Sequence, residues 1–189
     1  MTGLIVPQKT RYFYDTEFIE DGVTIDPISI GIVSEDGRKY YALNIECDYS
    51  KANPWVWANV ISKLPPRPTT LNPNDPSNFR WKTKIQIAEE IERFLLFDNK
   101  QPVLWAYYAD YDHVLLCQLY GTMMELPEGF PMYTKDLKQV LDDLGNPRIV
   151  KAVNEHHALA DAEWVRDTYN YLKENYSHPA FVDRDLIDQ

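Results

Sequence analysis

The sequence predicts an α/β fold built on a mixed sheet: an antiparallel three-strand meander continued by parallel strands and flanked by helices. Three observations carry this expectation. Aromatic and β-branched runs give the first third of the chain the character of strands. The apolar run "QPVLWAYY" at 101–108 lies between two helical patterns, as a buried strand reached through a crossover does. The remainder is helical in periodicity and closes on a long pattern that runs to Tyr176.

Each element follows from local chemistry. "RYFYDTEF" at 11–18 alternates as a strand does, and "DPISIGIVSEDGRKYYALNI" reads as two strands joined at "EDGR", a hairpin signal. "NPWVWANVISK" at 53–63 predicts a short helix with Asn53 as N-cap and Pro54 at its first position. The five prolines and their neighbours at 64–78 predict an irregular loop. "TKIQIAEEIERFLLF" at 83–97 predicts an amphipathic helix, with Thr83 and Gln86 as a capping box and Ile87, Ile91, Phe94 and Leu95 on one face. Helices are expected at 111–121, stopped by Gly121, at 134–144, ended by Gly145, and from His157 to Tyr176. The tail "SHPAFVDRDLIDQ" is expected to be peripheral or flexible.

Composition bounds the function. A chain of 189 residues, 44% apolar and 25% charged, suits one soluble domain. No apolar run approaches the roughly 20 residues of a membrane span, and no signal-like segment leads the chain, so neither membrane insertion nor export is expected. Cys47 and Cys117 are too few for a disulfide scaffold, which points to a reducing cytoplasm. A formal net charge of −10 argues, taken alone, against a nucleic-acid partner.

The acids reopen that question. Asp15 and Glu17 stand two apart in "YDTEF", so on a strand both carboxylates leave the same side, about 6.6 Å apart along the chain. Like charges so placed belong either to a polar edge facing water or around a divalent cation, because hard cations take carboxylate oxygens. Asp112 opens the helix after the apolar strand, where ligand sites gather, although capping or dipole compensation explains it as well. Asp161 lies near the start of the last helix among Ala158, Ala160 and Ala162, small residues that let a helix approach a sheet, or else on a solvated face. His156 and His157 precede it, and a histidine beside metal-held carboxylates can deprotonate a water. Four carboxylates can hold two divalent ions roughly 4 Å apart for an in-line displacement.

Together "YDTEF", the apolar strand leading to "YDH", and "HHALADA" resemble the three exonuclease motifs of the DEDDh 3′–5′ exonucleases, whose third motif reads His-x-Ala-Leu-x-Asp-Ala. More narrowly, "RYFYDTEFIEDG", "ISIGIVSEDGRKYYA", "LWAYYADYDHVLLCQLYG" and "HALADA" are similar to the actinobacterial RNase AS group of adenylate-preferring 3′–5′ exoribonucleases, over most of residues 11–165. The resemblance implies an RNase H-like fold, with an exonuclease domain at 11–176, an N-terminal extension at 1–10 and a C-terminal tail at 177–189. It implies hydrolysis with two Mg²⁺ ions, Mn²⁺ substituting, that releases nucleoside 5′-monophosphates from single-stranded RNA 3′ ends, poly(A) among them, or from 3′ overhangs. Asp15 would bridge the ions, Glu17 would hold the ion carrying the water and reach the 3′-hydroxyl, and Asp112 and Asp161 would complete the set. Thr16 and Phe18 would contact the terminal nucleotide, with Phe18 either stacking on its base or packing as plain core. A homodimer is also implied.

Three questions stay open at this level. Spacing puts His157 on the face of Asp161, four residues on, whereas the motif selects His156 as general base. Arg80, Lys82 and Lys84, and separately Lys135, Lys138, Arg148 and Lys151, read either as a path for a strand backbone or as solvated faces. An exodeoxyribonuclease of the proofreading kind, and an inactive RNA-binding module of the same fold, remain the alternatives; a test of the 2′-hydroxyl separates the first.

Overall fold

A computed structural model describes residues 8–72, 75–152 and 154–182. The meander forms as its pattern dictates. β1 (Lys9–Glu20) pairs antiparallel with β2 (Ile25–Ser34), which pairs antiparallel with β3 (Lys39–Asn44). The "EDGR" turn joins the last two, with Gly37 at φ +91, a conformation that glycine adopts without a Cβ clash. α1 (Pro54–Asn59) starts as expected, with the Asn53 side chain accepting from the Val56 amide. It stops earlier than the sequence suggests. Val60 turns the chain, and Ile61–Lys63 continues as a separate 3-10 turn, because Val56, Val60 and Ile61 all bury against Ile19 and Ile28.

β4 (Trp81–Lys82) then adds to the edge of β3 in parallel. α2 (Lys84–Leu95) follows with both halves of the Thr83–Gln86 capping box made. β5 (Gln101–Ala106) lies parallel to β1 on its other side, and α3 (Asp110–Tyr120) ends at Gly121. β6 (Lys135–Asp136) completes the order β4-β3-β2-β1-β5-β6, with α4 (Leu137–Asp143) and α5 (Ala158–Asn175) after it. The architecture is the expected α/β mixed sheet. The two-residue strands β4 and β6 correct it in detail, the second inside the segment expected to begin a helix at 134.

The sheet separates two cores. Tyr12, Tyr14, Ile30, Ile32 and Ala42 point to one side, against Ile87, Ile91 and Leu95 of α2 and Leu116 of α3. Phe13 and Trp105 point to the other, against Leu137, Leu141, Val165, Tyr169 and Leu172 of α4 and α5. Each large side chain so buried contributes about 1.5–3 kcal/mol. Both ends of the described chain are built into the fold. β1 begins at Lys9, two residues inside the segment expected as an extension, the first seven of which lie outside the described residues. Residues 177–182 are docked: Phe181 is buried against Tyr169, and His178 meets Asp143 at 3.2 Å. Residues 183–189 lie outside the described residues.

Candidate active site

Asp15 and Glu17 leave β1 on the same side as Phe13, which is the α5 side of the sheet. The register sets Gly31 of β2 beside Asp15, and Tyr41 of β3 beside Gly31. A Cβ at Gly31 would lie 2.3 Å from the Leu159 amide nitrogen and 2.4 Å from the Ala158 carbonyl carbon. The first turn of α5 therefore rests directly on the strand backbone, as a glycine within a strand permits. Ala158 and Ala162 are buried at this contact. One turn on, Asp161 is delivered over Asp15. Asp15, Glu17 and Asp161 each bring a carboxylate oxygen to within 4.8 Å of the others.

Asp112 reaches the same region from the opposite layer. β5 pairs with β1 only as far as Phe13, so the β1 backbone beyond it has no strand on that edge. The Thr16 amide and hydroxyl both donate to Asp112 Oδ1 instead, at 2.9 and 2.5 Å. This holds Asp112 outside the 4.8 Å group of the other three. It also gives the Thr16 hydroxyl a partner within the protein.

Asp161 is gripped by its own helix start, its Oδ2 accepting the amides of His156 at 2.8 Å and His157 at 3.1 Å. α5 begins only at Ala158, with His157 as N-cap. His157 turns its ring onto Tyr41, 4.6 Å between centroids, and offers Nδ1 to the Ala160 amide at 3.4 Å. His156 stays on the preceding turn at φ +67, and its ring meets Trp55 edge to face at 4.8 Å. His156 lines a cavity of about 570 Å³ together with Asp15, Thr16, Glu17 and Asp161. Tyr107, Tyr108, Trp164 and Ile149 line it as well.

Electrostatics mark the cluster. Burial, then Asp112, Glu17 and Asp161, hold the Asp15 carboxyl well above the usual carboxylate range. Burial with Asp161 and Asp112 pushes Glu17 to about 8, while the Lys63 ammonium pulls the other way. Burial lifts Asp112 to about 7 against the two Thr16 hydrogen bonds, and it raises Asp161 against the two histidine amides. Such crowding of partly desolvated acids concentrates at functional sites.

Phe18 is half-buried and stacks on Tyr111 of α3, 5.6 Å between centroids and 14° between planes, so it is not plain core. The two basic clusters do not form a bare track. Lys82 pairs with Glu90, Lys84 with Asp26, Lys138 with Asp142 and Lys151 with Glu155. Arg80 covers Tyr41, and Lys135 covers Trp105. Sequence reasoning misses Gly31, Trp55, Lys63 and Tyr108. Of these only Gly31 gives a local signal, an isolated glycine in "SIGIV".

The sheet order and its flanking helices define a class: an RNase H-like α/β domain, here carrying an acidic cluster over its first strand. The model of the 3′–5′ exoribonuclease Rv2179c-like domain matches residues 10–172, and the chain belongs to that family. It is 47% identical over 154 residues to the 3′–5′ exoribonuclease Rv2179c of Mycobacterium tuberculosis strain H37Rv, covering 80% of this chain and 86% of the relative. Solved structures agree in fold. A zinc-bound E. coli ExoI–ssDNA complex superposes with a TM-score of 0.60 at 13% identity, over 88% of this chain and 41% of that one. This chain thus spans about two-fifths of the ExoI chain. Cell-death related nuclease 4 superposes with a TM-score of 0.55 at 11% identity, over 89% of this chain and 64% of that one.

Proposed function

We propose that the chain shortens single-stranded RNA from a free 3′ end, in a reaction that needs divalent cations, releases nucleoside 5′-monophosphates and prefers adenylates. The observation that carries the reading is the convergence of Asp15, Glu17 and Asp161 within 4.8 Å beside His156 in one cavity. The donor set fits a hard divalent cation: it is all oxygen, and its raised proton affinity reflects negative charge that a dication neutralises. Asp15, Glu17 and Asp161 would hold Mg²⁺ or Mn²⁺, with Asp112 supplying the oxygen that Thr16 leaves free. Bound there, two such ions would provide Lewis acidity toward the phosphoryl oxygens and lower the pKa of water.

The chain's own groups do the remainder. His156 takes the proton of the attacking water, from a loop that faces the carboxylates. Glu17 accepts the hydrogen bond of the terminal 3′-hydroxyl. The Phe18–Tyr111 pair offers a flat platform for the terminal base, and stacking of this kind contributes about 1–3 kcal/mol per base. Stacking of this kind accepts any base, so the adenine assignment rests on the resemblance to the adenylate-preferring group. The 47% identical relative named an exoribonuclease supports RNA over DNA. The same resemblance supports a homodimer. The buried free thiols of Cys47 and Cys117 suit the reducing cytoplasm.

The test is incubation with 5′-labelled RNA and DNA homo-oligomers of each base, in Mg²⁺ or in EDTA. The expected result is an RNA ladder shrinking from the 3′ end, fastest for adenylate, blocked by a 3′-phosphate and absent in EDTA. Equal rates on DNA would reassign the chain to exodeoxyribonucleases. Full turnover in EDTA would remove the metal from the mechanism.

A further inference from the structure

We infer that Trp55 is a positioning residue for His156, so that the α1 segment, and not only α5, sets where the general base stands. The inference rests on the reading of His156 as that base. The two rings meet with centroids 4.8 Å apart and planes at 79°, the edge-to-face arrangement in which aromatic pairs attract.

His156 needs such a support. It occupies the left-handed region at φ +67, a costly conformation for a residue with a Cβ. Its amide is committed to Asp161, which fixes the backbone but leaves the side-chain torsions unrestrained. Among the described residues, the directional contact of its ring is the one with Trp55.

Trp55 is built to supply that support. Pro54 and the Asn53 cap fix the start of α1, the Asn53 side chain accepting from the Val56 amide at 2.9 Å. Val56, Val60 and Ile61 anchor the segment on Ile19, two residues past Glu17 on the strand that carries the acids. Lys63, at the end of the same segment, ties down the histidine loop a second time, its Nζ donating to the Glu155 carbonyl at 3.4 Å. Trp55 itself is 54% exposed, so burial in a core does not account for a tryptophan there. What it touches does.

The test is a double-mutant cycle on the full chain with an adenylate oligomer and Mg²⁺, after thermal melts confirm that each variant is folded. Trp55→Ala should lower kcat by roughly tenfold, within the range of coupling energies between contacting residues, with KM changed less than about twofold. Trp55→Phe, which keeps an aromatic face, should recover most of the loss. In a His156→Ala background, Trp55→Ala should cost nothing further. An unchanged kcat in Trp55→Ala would overturn the inference. So would a raised KM whose penalty persists without His156, which would make Trp55 a stacking surface for substrate. A wild-type rate in His156→Ala alone would overturn the general-base reading and the inference with it, whereas a slow His156→Ala beside a normal Trp55→Ala would sink only the inference.

Discussion

His156 and His157 are neighbours in sequence, yet one ring meets Trp55 at the carboxylate cavity and the other lies flat on Tyr41 while capping α5. Spacing alone favours His157, because residues four apart on a helix share a face. That rule does not apply, because the helix begins at Ala158 and Asp161 bends back to bind the amides of both histidines. A residue that stands before the first turn has no helical face, so spacing offers no ground for choosing His157, and the motif is the one cue in the sequence that favours His156. His156→Ala should slow single-turnover cleavage about 10²- to 10⁴-fold, the usual contribution of a general base. His157→Ala should keep turnover near wild type and lose about 1 kcal/mol of helix capping, a fall of roughly 2–4 °C in Tm. The reverse pattern would place the base one residue later.

At the scale of elements, the decisive contact is the seat of α5 on Gly31. Gly31→Ala puts a methyl group 2.3 Å from the Leu159 amide nitrogen, where only backbone can yield. The helix must lift, carrying Asp161 away from Asp15. The expected cost is on the order of 1–3 kcal/mol in stability, as for other overpacked contacts. A larger proportional loss in metal affinity should accompany it, read by isothermal titration with Mn²⁺. Unchanged affinity would mean that α5 does not register the site through this contact. The long elements were legible because their cues are local: the Thr83–Gln86 box, Gly121, and the alternation of "RYFYDTEF". β4 and β6 were not, because two residues carry no period and become strands only through the neighbour they meet. The same holds for the break at Val60, which is set by burial against Ile19 and Ile28.

For the whole molecule, the shared repulsion of the acids becomes a dependence of stability on pH. Groups whose folded pKa is raised hold protons that the unfolded chain has already released, so stability falls as pH rises between the two values. For Glu17 that window runs from its ordinary 4.5 up to about 8, and Asp112 adds to it up to about 7. Melts in EDTA should therefore fall from pH 5 to pH 8 and level off above, and Asp15→Asn should flatten the decline by removing one of the charges. Divalent cation should raise Tm most at the alkaline end. A metal-free protein more stable at pH 8 than at pH 5 would show that the acids are not mutually destabilising. The net charge of −10 obscured a nucleic-acid partner in the sequence because it counts all acids alike. In the fold, part of that charge sits where cations would gather, and much of the basic charge is spent on ion pairs. The seating of α5 on the opening hairpin also has a consequence for synthesis. The strand that bears Asp15 and Glu17 is synthesised well before the helix that bears Asp161. A nascent or prematurely released chain that stops before residue 156 carries neither the histidine nor the last carboxylate. A centre whose parts stand so far apart in the chain is assembled only once both its opening hairpin and its long helix have been made.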